Sequence, residues 1–309
     1  MTFLPLRSLP FLWLLFLWLL FLWLLFLWLL FLWLLLLASV PVAARDLKIA
    51  TWNMEWLTLR PAGDPELPEG VIPKHAEDRA LLQRYALALN ADIVALEEVD
   101  GPGPAAEIFP PDRYRLFFTQ DNVVQRVGFA VKRGLTIIQN PDLVSLDVLR
   151  GARHSLRSGA DITLKLDGSI LRLLGVHLKS GCQQAPLSGS GRTCDTLHRQ
   201  LPALQGWIAQ RREEGVPFVV LGDFNRRMDA HDELETALAQ TAPLLRVTEG
   251  QATPCWGGNA FIDHIFLGGA ARGWMAPQSM RVMIYREGPE AKERLSDHCP
   301  VSVRLTLPE

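Results

Sequence analysis

The stretch RLSDHCPVSVRL, Arg294 to Leu305, sets an acid, an imidazole and a thiol side by side at Asp297, His298 and Cys299. Such neighbours serve a metal cluster, half of a disulfide, or part of a catalytic site. Other polar residues stand at or beside the ends of apolar runs in the same way: Asn53, Glu98, His177, Asp223, Asn225 and Asp263. Glu98, Asp297 and Asn53 make an all-oxygen set suited to a hard cation such as Mg²⁺, which keeps several waters and takes few protein ligands. Mn²⁺ and Ca²⁺ accept the same donors. Hydrolysis of phosphate esters is the chemistry that such a cation serves. Asp223 and Asn225 are two residues apart, so both address one water or one phosphate oxygen from the same strand face. His177 and His298 supply acid or base near neutral pH, and a carboxylate such as Asp263 fixes the tautomer of one of them.

Plainer readings exist for each. Glu98, beside Glu97 and Asp100, fits a solvated loop, and Gly222 to Asn225 fits a turn. A lone His177 is more often structural than catalytic. The run FIDHIF resists this treatment, because its apolar flanks bury Asp263 or His264, and a buried acid needs a partner. Chemistry is favoured because all of these residues end the right elements in one chain.

Those elements alternate in type. LKIATWNM reads as a strand running into a Gly/Pro-rich loop, and HAEDRALLQRYALALN as a helix ending at Asn90. DIVALEEV is a buried strand, followed by strands in RYRLFFTQ, RVGFAVKRG, DITLKLDGS and ILRLLGVHLKS, the last two joined by an Asp-Gly-Ser turn. TCDTLHRQLPALQGWIAQRREEG is an amphipathic helix with a proline interruption. PFVVLGDFN is a buried strand, DAHDELETALAQ a helix, and FIDHIFLG and PVSVRLTL the closing strands. Hairpins mixed with strand–helix units predict a layered α/β domain with mixed or antiparallel sheets over residues 45 to 309. A dinucleotide fold fits poorly, since no Gly-rich loop follows the first strand.

The N-terminus is different. From Phe11 the sequence repeats FLWLL five times, and the apolar run ends near Ala38. A five-residue period turns about 140° per step on an ordinary helix and leaves no polar face. The run is about 42 Å long at ~1.5 Å per residue, beyond the ~30 Å of a hydrocarbon layer, so it is long enough to remain as an anchor. Pro41 breaks it, and Val42-Ala43-Ala44 offers the small residues that a signal peptidase needs, so cleavage after Ala44 is the favoured expectation. Either outcome puts residues 45 to 309 outside the cytoplasm, periplasmic, secreted or membrane-anchored, because only Arg7 and the amino terminus precede the run. An oxidising compartment then holds four cysteines. A Cys182–Cys194 disulfide closing a short polar loop is expected, whereas Cys255 and Cys299 are left as a second pair or as buried thiols. No two cysteines have zinc-finger spacing. With 31 basic and 33 acidic residues, an anionic partner must be met by a local patch.

LKIATWNMEW, DIVALEEV, GVHLKSG, VLGDFN, FIDHIFL and LSDHCPV, in this order, resemble the endonuclease/exonuclease/phosphatase superfamily. That group includes deoxyribonucleases, AP endonucleases, inositol polyphosphate phosphatases and neutral sphingomyelinases. The resemblance implies a four-layered sandwich, two packed mixed sheets with helices on the outer faces, and divalent-metal hydrolysis of a phosphoester. It further implies Asn53 and Glu98 as metal ligands, with Asp297 a direct or water-mediated third. His298 becomes the base, oriented by Asp263. Asp223 and Asn225 hold the nucleophile and the scissile phosphate, and His177 donates to the phosphate or assists the leaving oxygen. Arg157 resembles a phosphate-facing arginine of the deoxyribonuclease branch, and Lys179 adds a second phosphate contact. Where that branch pairs its acid histidine with a glutamate, this chain has Gln125, which does not raise the basicity of His177.

Three functions compete. The first is an exported Mg²⁺-dependent phosphodiesterase, monomeric, acting on DNA or RNA with a rim of Arg126, Arg157, Arg192, Arg226 and Arg227. The second keeps the chemistry and takes a phospholipid, sphingomyelin or inositol phosphate, favoured if the leader stays in the membrane. The third is a catalytically silent binding domain, which predicts a lost principal residue, and none is lost.

Overall fold

In the computed structural model, which describes residues 9–38, 46–152, 155–189 and 191–308, the apolar repeat forms one helix, α1 (Leu9–Ala38). Every side chain from Trp13 to Trp33 is exposed, so the helix is apolar on all sides. It is long and apolar enough to cross a membrane, with mean hydropathy 2.8. The proposed break at Pro41 and the cut after Ala44 lie outside the described residues. By its internal contacts the chain divides into two compact units, Met1–Ala44 and Arg45–Glu309.

The second unit runs β1 (Asp46–Leu57), α2 (Ala76–Leu89), β2 (Ile93–Val99), α3 (Pro102–Ile108), β3 (Tyr114–Phe118), β4 (Arg126–Lys132) and β5 (Thr136–Gln139). It continues through β6 (Ala160–Leu166), β7 (Ser169–His177), α4 (Arg192–Glu213), β8 (Phe218–Asp223), α5 (Glu233–Thr241) and β9 (Leu244–Arg246). The small pair β10 (Ala252–Thr253) and β11 (Asn259–Ala260), then β12 (Asp263–Gly268), β13 (Arg281–Val282), α6 (Lys292–Leu295) and β14 (Val301–Thr306) complete it. Two six-stranded sheets form, ordered β13-β14-β1-β2-β4-β3 and β5-β6-β7-β8-β12-β9. Both are mixed, since β1–β2 and β7–β8 run parallel and their other pairings antiparallel. The principal strands and helices read from the sequence are all present, and α4 continues through Pro202. The short β5, β9, β10, β11 and β13 and the one-turn α6 carried too little periodicity to be read, and α3 opens on Pro102-Gly103-Pro104, a turn-like start that hid it.

Three apolar clusters define the layers. Ile49, Ile93, Phe129, Ile162, Leu173, Leu221, Ile265 and Val303 pack between the sheets. Trp52, Leu82, Ala86, Leu96 and Phe109 join the first sheet to α2 and α3. Val176, Leu197, Leu204, Val220, Leu234 and Phe266 join the second sheet to α4 and α5. Helices, sheet, sheet, helices is the four-layered α/β sandwich expected.

Strand periodicity explains where the polar residues end up. Side chains two apart share a face. On β1, Leu47 and Ile49 face the central layer, so Thr51 and Asn53 follow on the same row. On β7, Leu171 and Leu173 lead to His177; on β8, Val219 and Leu221 lead to Asp223; on β12, Leu267 and Ile265 lead to Asp263. The inter-sheet core therefore changes from apolar to ionisable at one end, with each row contributing a polar terminus.

Candidate active site

Glu97 continues the central row of β2, and Glu98 by parity faces away. A register shift between Leu96 and Val99, with Glu98 in the left-handed region at φ 59°, turns the second glutamate into the site as well. Its Oε1 accepts from Asn53 Nδ2 at 3.2 Å, and the same amide donates to Asp223 Oδ2 at 3.1 Å. Asn225, also left-handed at φ 51°, anchors Asp223 through its backbone N–H at 2.7 Å and its Nδ2 at 3.0 Å. Gly222 is required for the approach of β8 to β7: at φ +147° an added Cβ would lie 1.9 Å from the Val176 carbonyl oxygen.

His298 presents Nδ1 to Asp263, 2.8 Å from Oδ2 and 3.0 Å from Oδ1. Its Nε2 faces inward, 3.9 Å from Asp223 Oδ2 and 3.7 Å from Asp297 Oδ1. Burial opposes the imidazolium, but Asp263 and Asp223 outweigh it and hold the ring's pKa well above its ordinary value. His177 behaves oppositely. Burial, reinforced by the Arg157 guanidinium, pushes its pKa well down, so at neutral pH the ring is uncharged. Arg157 lies against that ring, Nε 3.0 Å and Nη2 2.8 Å from Nδ1. His177 Nε2 stands 3.6 Å from Glu98 Oε1 and 3.5 Å from Asp223 Oδ2. Gln125 is not among the hydrogen-bond partners of His177 in the described residues; the place beside the ring is held by Arg157.

The carboxylates crowd one another. Asp223 is pushed up to about 7 by burial and by Asp263 and Glu98, against the pull of His298. Glu97, wholly buried, is pushed well up by burial and by Asp263; Thr51 Oγ1 donates to its Oε1 at 2.9 Å, and its Oε2 has no partner among the described residues. Glu98, His177 and Asp223 each bring a ligand atom within 4.8 Å of the others, as do Asp223, Asp263 and His298. Asp223, whose ionisation is held back by burial and then by its acidic neighbours, offers oxygen that a hard divalent cation would fit, since the cation's charge offsets both effects.

A sequence profile of the Endonuclease/Exonuclease/phosphatase family matches residues 50–298, which spans every residue just described. The chain belongs to that family. Its fold recurs in D. rerio TDP2 complexed with single-strand DNA product, 17% identical over 85% of this chain and 99% of that one, TM-score 0.56. It recurs in the 3′-5′ exonuclease NExo of Neisseria meningitidis, 18% identical over 84% of this chain and 100% of that one, TM-score 0.56. The human Nocturnin catalytic domain with bound sulfate is 16% identical, covering 84% of this chain and 93% of the other, TM-score 0.53. No curated protein sequence matches the chain significantly. Membership makes this Endonuclease/Exonuclease/phosphatase chain a metal-dependent phosphoester hydrolase.

Within this family member the residues read from sequence do not all sit alike. Asn53, Glu98, His177, Asp223, Asn225, Asp263, His298 and Arg157 meet at the polar end of the sheets. Asp297 lies at the rim, its side chain 43% exposed. Lys179 is half-buried and its Nζ donates to the Ser180 carbonyl at 3.0 Å. Arg226 does not belong to a rim: it is buried, and its Nε donates to Asp232 at 2.7 Å. Its side chain faces away because β8 has ended, and Asp232, the N-cap of α5, captures it.

Sequence reasoning missed the scaffold of the Ser296–Cys299 segment. Ser296 Oγ donates to the Asn53 carbonyl at 2.7 Å, and Tyr285 Oη donates to the His298 carbonyl at 3.1 Å. Cys299 is bonded to Cys255, and the neighbouring Trp256 stacks on Tyr285 and donates from Nε1 to the Ser296 carbonyl at 3.0 Å. Cys182 and Cys194 are also bonded. Glu55 was missed too. It accepts from the Asp297 backbone N–H at 3.0 Å, and burial, with Asp297 and Glu98 nearby, pushes its carboxyl up to about 7 against the pull of Lys74. Its cue was its position two residues after Asn53, and a sharp bulge, Glu55 and Trp56 both left-handed, hid that relation.

Proposed function

We propose that the protein is an exported Mg²⁺-dependent phosphodiesterase acting on nucleic acid. The observation that carries this reading is the convergence of Glu98, Asn53 and Asp223 on one side of a gap and the Asp263–His298 pair on the other, with His298 Nε2 left 3.9 Å from Asp223. Glu98, Asn53 and Asp223 would hold the divalent ion, with Asp297 a further direct or water-mediated ligand; Mn²⁺ or Ca²⁺ would suit the same donors. When bound, the ion supplies Lewis-acid charge to a phosphoryl oxygen.

The chain's own groups do the rest. Asp263 keeps one proton of His298 on Nδ1; the charge of Asp223 helps hold a second proton on the ring, and Nε2 is free to take a proton from a water in the gap once a cation bound at Asp223 offsets that charge. Asn225 holds Asp223 so that its carboxylate orients that water and the scissile phosphate. Arg157, and Lys179 from the adjoining loop, meet the negative charge that grows on the non-bridging oxygens. His177 is neutral, so it donates a hydrogen bond to the phosphate and does not deliver a full proton as an imidazolium. A nucleic-acid substrate is supported by the DNA product bound in the D. rerio TDP2 structure. Outside α1, the large exposed apolar side chains of the described residues are few, Leu59 and Ile72 on one cleft and Ile138, Val144 and Ile284 elsewhere, and not the broad rim that a lipid hydrolase presents. The leader α1 delivers the domain outside the cytoplasm, by a cut after Ala44 or as an anchor, where both disulfides are stable.

The test is to assay the full chain on plasmid DNA, RNA, sphingomyelin and bis-nitrophenyl phosphate with Mg²⁺, Mn²⁺ or EDTA, beside His298→Ala. Hydrolysis of nucleic acid that stops with EDTA and with His298→Ala is the expected result. Turnover of sphingomyelin alone overturns the substrate, and turnover that survives either treatment overturns the mechanism.

A further inference from the structure

Beside the acidic centre lies a cleft of about 380 Å³ that the hydrolytic machinery does not use. It is walled by Thr58 to Ala62, which follow β1, and by Ile72 to Ala76 and Arg79, at the start of α2. Two features of it are unusual. Its wall includes Lys74, whose side chain is 1% exposed and whose ammonium makes no hydrogen bond among the described residues; the nearest carboxylate is Glu55, at 3.9 Å. Burial lowers the pKa of that ammonium, and Glu55, Asp297 and Glu98 work to keep it charged. A buried cation whose one close carboxylate lies beyond hydrogen-bond reach is costly, and an acceptor brought into the cleft would offset that cost.

The second feature is the company it keeps. Arg60, one-third exposed, and Arg79 line the same cleft. Asp100 and Asp64 each accept from one nitrogen of Arg60, at 2.8 and 3.4 Å, which orients the guanidinium and leaves Nη2 without a hydrogen bond among the described residues. Glu107 and the Lys74 carbonyl hold Arg79. Leu59 and Ile72, 48% and 68% exposed, supply apolar walls. Lys74 also touches Glu55, which bonds to the backbone of Asp297, so the cleft adjoins the reaction centre through Glu55.

We propose that this cleft is a second phosphate subsite, taking the phosphoryl group next to the scissile one in the same substrate chain on Lys74 and Arg60, with Leu59 and Ile72 against the intervening sugar or base. The assignment rests on the phosphodiesterase reading and deepens it. A substrate with a single phosphate leaves Lys74 unsatisfied, whereas a nucleotide chain fills both sites. The subsite thus selects substrates that carry neighbouring phosphates.

The experiment compares TpT with pTpT, TpTp and TpTpT, which add one terminal or one internal phosphate. Affinities are measured by calorimetry with Mg²⁺ on the full chain in detergent, carrying His298→Ala so that nothing turns over. At least one added phosphate is expected to tighten binding about 10- to 100-fold, the worth of one or two charge-assisted hydrogen bonds. Adding Lys74→Met or Arg60→Met is expected to bring that ratio to within about two-fold of unity. Because Lys74 is buried, Arg60→Met keeps the test valid if Lys74→Met does not fold. Equal affinities for all four ligands overturn the subsite, as does a preference that survives both changes. Failure of the phosphodiesterase reading shows separately, as an absence of metal-dependent hydrolysis of bis-nitrophenyl phosphate by the unmutated chain.

Discussion

Asp263→Asn isolates the orientation of the base. Asp263 spans His298 Nδ1 with both oxygens, at 2.8 and 3.0 Å, and is 8% exposed, so solvent cannot replace it. An asparagine of the same shape either accepts more weakly through its oxygen or offers its NH₂ to Nδ1, which moves the ring proton to Nε2, where the base is needed. A hydrogen bond to a charged group is worth about 1.5–3 kcal/mol, which sets the lower limit of the loss at about 10- to 150-fold in kcat. The tautomer error adds to it, up to the ~10⁴-fold that a positioned base contributes. Stability is pulled both ways, because Asp263 helps push the Asp223 and Glu97 carboxyls up, whereas the same charge stabilises the buried His298 imidazolium that it contacts. The assay is the pH dependence of kcat on bis-nitrophenyl phosphate, with the melting temperature measured in parallel. The expected outcome is a fall in kcat of at least ten-fold, measured at a temperature where the melting curve shows the variant fully folded. A loss below three-fold, or one explained by a lower melting temperature, would refute the reasoning.

Further consequences concern metal, glycine and disulfides. Asp223 and Glu55 have folded pKa values near 7, raised above their unfolded ones, so their stabilising contribution is complete below about pH 4 and is lost as pH rises toward 7 and beyond. A cation favours the ionised forms and reverses this, so the rise in melting temperature on adding Mg²⁺ should be small at pH 5 and grow up to pH 8; a pH-independent rise would contradict carboxylate ligation. Gly222→Ala places a Cβ 1.9 Å from the Val176 carbonyl oxygen and should cost more than about 2 kcal/mol in urea unfolding, with Asp223 displaced and activity lost. Loop-closure entropy assigns about 4 kcal/mol to Cys255–Cys299, 44 residues apart, and about 3 kcal/mol to Cys182–Cys194, 12 apart. Replacing Cys255 and Cys299 with alanines should therefore lower the urea midpoint more than replacing the other pair does. It alone should also lower kcat, because Cys299 adjoins His298.

Much of the candidate site was legible because a strand has a period of two and a polar row simply continues a core row. Asn53, His177, Asp223 and Asp263 each lie an even number of residues from a leucine, isoleucine or valine of the inter-sheet core. Local pattern therefore placed them at strand ends, and their chemistry marked them as a set. The apolar α1, the α2 helix ending at Asn90 and the β6–β7 hairpin followed from periodicity and turn residues for the same reason. These features depend on neighbours in the chain, which the sequence alone determines.

Other features depend on contacts between residues far apart, and only the tertiary structure decided them. Glu98 enters the site because a bulge reverses its parity, and Glu97, the residue that parity favours, is buried with one oxygen unpartnered. Arg226 reads as a rim cation until Asp232 is seen to bury it. His177 reads as a proton donor until Arg157 is found against its ring, which with burial keeps it neutral. Tyr285, Ser296 and Cys255 hold the Asp297–His298 segment across 13, 243 and 44 residues of separation in their respective bonds. Charge states and second supports arise from desolvation and from the meeting of distant strands. Those forces act only once the two sheets have closed on one another.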